Sequence, residues 1–73
     1  MWTTEDVALI RSAAILRIDK LLDGVRSSLD QRLCACAAAS AEDYIAVAVA
    51  MFCARQKAVE WLDAWLAQQQ RVH

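Results

Sequence analysis

The sequence predicts an all-α fold, an antiparallel helical hairpin of two long helices. The 73 residues contain no proline and one glycine, so the tight turns of an all-β domain lack their usual residues. Apolar side chains make up 59% of the chain and the formal net charge is −1, which excludes a disordered protein. The longest stretch without charged or amide side chains, residues 44–54, is too short to span a membrane. A chain this short seldom builds a strong core by itself, so a partner is expected.

The first helix is predicted over residues 4–38 of a single domain, 1–73. Thr3 is a favourable N-cap, and Asp6 is placed to return a hydrogen bond to the cap amide. The stripe predicted to face the second helix has spacings of three and four residues: Ile15, Ile18, Leu22, Val25, Leu29, Leu33 and Cys36. The stripe keeps its phase across Gly24, which predicts one continuous helix. A kink at Gly24 would give a three-helix arrangement instead.

The second helix is predicted over residues 41–68, after a bend at about residues 38–41. Ser40 is a suitable N-cap, and Asp43 stands three residues later, as Asp6 does after Thr3. So short a link places the two helices antiparallel. The polar tail, residues 69–73, is expected to fray.

The second helix carries more apolar surface than one hairpin can bury. One stripe is expected to pack against the first helix: Ile45, Ala48, Phe52, Val59, Leu62 and Leu66. A second stripe beside it is the candidate interface with another chain: Val47, Met51, Ala54, Ala58, Trp61 and Trp65. We therefore expect oligomerisation to complete a helical bundle. The alternative is a three-helix monomer in which the N-terminal segment covers the second stripe.

The tryptophans near the end of the second helix strengthen the expectation of a partner. Trp61 and Trp65 lie four residues apart on one helix face, and tryptophan is enriched at binding hot spots. Alternatively, both tryptophans close the open end of the hairpin by packing on Leu9, Ala13 and Leu16.

No constellation for catalysis is found in the sequence, so neither an enzyme activity nor a cofactor is expected. The single histidine, His73, is the last residue, where catalytic geometry is hard to maintain. Cys34, Cys36 and Cys53 lack the spacing of a zinc site, and we expect them to fill the core as reduced thiols. The acidic N-terminus does not resemble a secretory signal, so the expected location is the cytoplasm.

Nucleic acids, membranes and small-molecule substrates are not expected partners. The basic side chains of the first helix alternate with Asp19, Asp23 and Asp30, which leaves no net positive field for phosphates. The expected partner is a protein, with a homodimer as the simplest case.

The layout resembles the very small helical-hairpin co-chaperones of type III secretion. The matching elements cover about residues 15–66 and comprise the first-helix stripe, a short bend, the entry Glu42-Asp43-Tyr44, and Ala54, Ala58 and Leu62. The resemblance implies a protein that, together with a second helical chaperone, keeps the needle subunit soluble in the cytoplasm. Two other classes share this pattern: a phage- or plasmid-encoded inhibitor that binds a host protein, and a homodimeric structural bundle.

Overall fold

The computed structural model describes residues 2–72, with the side chains of residues 2–70, and contains two long helices. Helix α1 spans Thr4–Cys34 and helix α2 spans Ala41–Val72. They lie antiparallel, since ion pairs join Arg11 to Asp63 and Asp19 to Arg55. The molecule measures 54 × 15 × 14 Å. The predicted all-α hairpin is confirmed.

Helix α1 begins as predicted and ends earlier. The Thr3 hydroxyl accepts a hydrogen bond from the Asp6 amide at 3.1 Å, and the Asp6 carboxylate accepts one from the Thr3 amide at 3.0 Å. The helix ends at Cys34 rather than at residue 38, and Cys36 and Ala39 donate turn hydrogen bonds in the link. The predicted boundary was wrong because the reversal takes six residues, 35–40, and the alanines and single cysteine among them carry no helix-stop signal.

Helix α2 begins where predicted and continues further. The Asp43 carboxylate accepts hydrogen bonds from the Ser40 amide at 2.9 Å and from the Ser40 hydroxyl at 3.4 Å. The helix continues to Val72, four residues beyond the predicted end. Residues 69–72 of the predicted tail are therefore helical, since glutamine and arginine are good helix formers. The end of the predicted tail, His73, lies outside the described residues.

Helix α1 is continuous through Gly24, as the phase of the apolar stripe predicts. Gly24 is exposed, and a methyl group added at its Cα would meet no atom within 4 Å. The chain thus has the two-helix arrangement and not the three-helix one.

The contact between the helices buries few side chains completely. In the described chain only Leu62 and Leu66 are buried, and α1 contributes none. The predicted α1 stripe is half-buried except for Val25 and for Cys36, which lies beyond the end of α1; both are exposed. The radius of gyration is 16.6 Å, against about 11 Å for a compact domain of this length. The hairpin is therefore elongated and open on both sides.

The line along which α2 meets α1 runs between the two predicted stripes. Ile45 and Phe52 belong to the stripe that we expected to pack on α1, yet they are 61% and 63% exposed. The expectation was wrong for these two residues, because the two stripes are adjacent and similarly apolar, and a contact centred between them covers part of each. Ala48, Val59, Leu62 and Leu66 of the same stripe are covered, as expected. The covered positions are Val47, Ala48, Met51, Ala54, Ala58, Val59, Leu62, Trp65 and Leu66.

Candidate protein-interaction surface

The six candidate interface residues of α2 occupy two environments. Five of them are half-buried along the contact with α1: Val47, Met51, Ala54, Ala58 and Trp65. Trp61 is 68% exposed. Their role in binding another chain stays a prediction, and Trp61 is the one that offers a large free surface to a partner.

The two neighbouring tryptophans of α2 differ in what they contact. The ring of Trp65 lies 6.1 Å from the ring of Trp2, centroid to centroid, with the planes tilted by 44°. This pair closes the open end of the hairpin. Leu9 and Leu16, which the sequence offered as packing partners of the tryptophans, are each 70% exposed. They face away because the contact line on α1 passes through Ile10, Ala14 and Ile18 instead.

Trp61 forms one wall of an apolar groove between the helices. The groove has a volume of about 470 Å³ and is lined by Ala14, Arg17 and Ile18 of α1 and by Ala58, Trp61 and Leu62 of α2. We call this feature the Trp61 groove. Alanines on both helices leave its floor shallow and accessible to another backbone, while the aliphatic and indole groups make it almost entirely apolar.

The opposite side of the hairpin is a smaller and more polar groove. It has a volume of about 290 Å³ and combines apolar with charged side chains: Leu22, Ala48, Met51, Phe52, Asp19, Asp23, Arg26 and Arg55. We call it the Phe52 side. Here Arg55 Nε donates to Asp19 Oδ1 at 2.7 Å, and about two turns further Arg11 Nε donates to Asp63 Oδ1 at 2.7 Å. The ion pairs that join the two helices therefore lie on this side.

The ion pairs set the protonation behaviour of the Phe52 side. The hydrogen bond from Arg11 lowers the pKa of Asp63, and the same contact raises the pKa of Arg11. The hydrogen bond to Asp19 raises the pKa of Arg55. All four side chains are solvent-exposed, so water screens the pairs and they align the helices more than they stabilise them.

An exposed line of apolar residues on α2 escaped the sequence reasoning. Ile45, Val49 and Phe52 are all exposed, and their spacing of four and three residues places them on one helix face. This spacing is itself a detectable signal, although Ile45 and Phe52 were assigned to the hairpin contact. Leu21 and Val25 of α1 are also exposed. Apolar surface therefore remains on both helices.

The thiols do not take the positions expected for them. Cys34, Cys36 and Cys53 are free and exposed, so the expectation that they fill the core was wrong. Cys34 and Cys36 flank the end of α1, where there is no second layer to cover them. The Cys34 thiol lies 3.4 Å from the Tyr44 hydroxyl, and this hydrogen bond raises the pKa of Tyr44.

The described residues bring together no group of three histidine, cysteine, aspartate or glutamate side chains that could hold a metal ion. Neither described helix has a segment long and apolar enough to cross a membrane. What the arrangement offers chemically is apolar surface on two sides, with charged pairs on one. The sequence matches no protein-family model, and no curated protein or solved structure matches it either.

Proposed function

We propose that this chain is a non-enzymatic protein that acts by protein–protein interaction, with helices of another chain covering its apolar sides. The observation that carries this proposal is the amount of surface left open. The hairpin exposes 5778 Å², whereas a folded monomer of its mass normally exposes about 4,500 Å². Large apolar side chains contribute to this excess, Trp61 and Phe52 among them.

The size of the excess indicates what kind of partner would cover it. Two separate hairpins expose about 11,600 Å², and a compact four-helix protein of twice the mass exposes about 7,500 Å². Completing such a bundle would therefore hide about 4,100 Å², which lies within the range of about 2,000–5,000 Å² for obligate complexes. A partner that supplies one or two long helices is of the right size.

A cytoplasmic co-chaperone role follows from this proposal together with the resemblance to needle co-chaperones of type III secretion. In that role the hairpin would form a lasting complex with a helical chaperone and help to keep an aggregation-prone subunit soluble. A homodimeric bundle is the second candidate, because the area argument applies equally to a second copy of this chain.

The proposal is tested by the molar mass of the purified chain in solution, followed by affinity capture from its native lysate. We expect either a mass above the monomer value of 8.1 kDa or the stoichiometric capture of a helical protein. Trp61→Gln should weaken the association, while the neighbouring exposed change Glu60→Gln should leave it intact. A cooperatively folded monomer that captures nothing would contradict the proposal.

A further inference from the structure

Two cations stand beside the Trp61 groove at the same level of the hairpin. Arg17 lines the groove on the α1 side. Lys57 precedes Trp61 by one turn on α2. The antiparallel register that pairs Asp19 with Arg55 also brings residue 17 level with residue 57. Two residues correspond to about 200° of helix rotation, so these cations lie on the side away from the Asp19–Arg55 pair.

Neither cation has an anionic partner among the side chains of residues 2–70. The three ion pairs there use Arg11, Arg26 and Arg55. No acidic residue stands three or four positions from Arg17 along α1, and Glu60, three positions after Lys57 on α2, forms no ion pair with it. The ion pairs that join the helices thus lie on the Phe52 side, whereas Arg17 and Lys57 beside the Trp61 groove take part in none.

We infer that the Trp61 groove binds an amphipathic helix of a partner protein whose apolar stripe is flanked on both edges by carboxylates. This inference rests on the proposed function and specifies the partner's chemistry. A third helix laid between α1 and α2 would place its apolar stripe over Ala14 and Ala58, against Trp61. Its two edges would then meet Arg17 on one side and Lys57 on the other, as flanking charges do in coiled coils.

A second copy of this chain fits the same groove less well. Two-fold docking of one Trp61 groove on another would bring two copies of Arg17 and two of Lys57 into one interface. Like charges brought together at an interface cost binding energy and select against that partner. An acidic helix avoids this repulsion. Its carboxylates would attract the cations at both edges while its apolar stripe covers the apolar floor.

The test uses the full chain and two synthetic helical peptides. Both peptides carry leucine and alanine on the apolar stripe and lack tryptophan; one has glutamate at every flanking position and the other lysine. Fluorescence anisotropy of the labelled peptides measures binding, and tryptophan emission reports contact with the groove. We expect the glutamate peptide to bind about tenfold more tightly than the lysine peptide. The preference should shrink when NaCl is raised from about 0.1 M to about 1 M, because the Debye length falls from about 10 Å to about 3 Å.

A pair of matched variants locates the effect. Arg17→Glu should weaken binding of the glutamate peptide about tenfold. Arg26→Glu makes the same change of charge on the same helix but on the Phe52 side, and it should leave binding within about twofold. Circular dichroism of both variants checks that the hairpin remains folded.

The remaining outcomes separate this inference from the proposed function. Equal binding of the two peptides, or equal effects of Arg17→Glu and Arg26→Glu, would overturn the acidic partner and leave the interaction function standing. A chain that is a dimer by itself and is dissociated by Trp61→Gln would show that a second copy occupies the groove, which also overturns the inference. If neither peptide binds, the inference fails; if the chain is also a stable monomer that captures nothing from the lysate, the proposed function fails with it.

Discussion

Replacing Trp65 with alanine should destabilise the hairpin at every protein concentration, whereas the same replacement at Trp61 should weaken association alone. The two residues lie one turn apart on α2 and present the same side chain. Trp65 is half-buried and contacts the ring of Trp2, while Trp61 is 68% exposed. They therefore form a matched pair in which only the surroundings differ.

The expected difference follows from the area that each indole keeps out of water. A tryptophan can bury about 250 Å² of surface. Trp65 keeps at least about 80 Å² more of that surface out of water than Trp61 does. At about 25 cal/mol per Å², this corresponds to about 2 kcal/mol of unfolding free energy. This estimate already includes the loss of the ring contact with Trp2. For a chain of this size, the shift in Tm is about 10 °C.

The assay is urea unfolding followed by far-ultraviolet circular dichroism at several protein concentrations. Trp65→Ala should lower the midpoint by a similar amount at each concentration. Trp61→Ala should change only the part of the stability that grows with concentration, since that part reports association. If Trp61→Ala destabilises the dilute protein as much as Trp65→Ala does, Trp61 is packed within the hairpin and the groove is not an open surface.

Three further changes test other parts of the structure. Gly24→Ala should raise the unfolding free energy by about 1 kcal/mol in thermal melts, because the added methyl meets nothing and alanine favours helix; a lower stability would mean that the site is not free. The folded-state pKa of Asp63 is lowered by Arg11, so its stabilising effect is present above the unfolded pKa and lost as pH falls through the folded one. Asp63→Asn should therefore flatten the acid loss of stability below about pH 4, and an unchanged pH profile would refute the role of the pair. Cys34→Ala should shift the tyrosinate absorbance titration of Tyr44 to lower pH, since the thiol hydrogen bond that raises its pKa is removed; no shift would refute that contact.

The features that depend on local chemistry were predictable from the sequence. The start of α1 follows from Thr3 and Asp6, whose side chains and amides lie within one turn of each other. The start of α2 follows from Ser40 and Asp43 in the same way. Continuity across Gly24 follows from the phase of the stripe, which extends over several turns on both sides.

The features that depend on the other helix were less predictable. Two adjacent apolar stripes do not determine where between them the contact line falls, so Phe52 was placed inside and is exposed. The end of α1 depends on how the chain reverses toward Ser40, and the alanines before Ser40 favour helix, so local propensity extends the predicted helix too far. The contrast between Trp61 and Trp65 depends on Trp2, which is distant in sequence.

The two ion pairs that join the helices have opposite polarity. Arginine is on α1 in one pair and on α2 in the other, and eight residues separate the pairs along each helix. Both pairs can therefore form in only one alignment of the helices. Sliding α2 by eight residues, about 12 Å, would bring Arg55 level with Arg11 and replace attraction with repulsion. Alanine side chains are small, so alanine-rich helix faces interlock weakly and do little to prevent such a slide. Several alignments would bury similar apolar area, and these exposed charges select one of them.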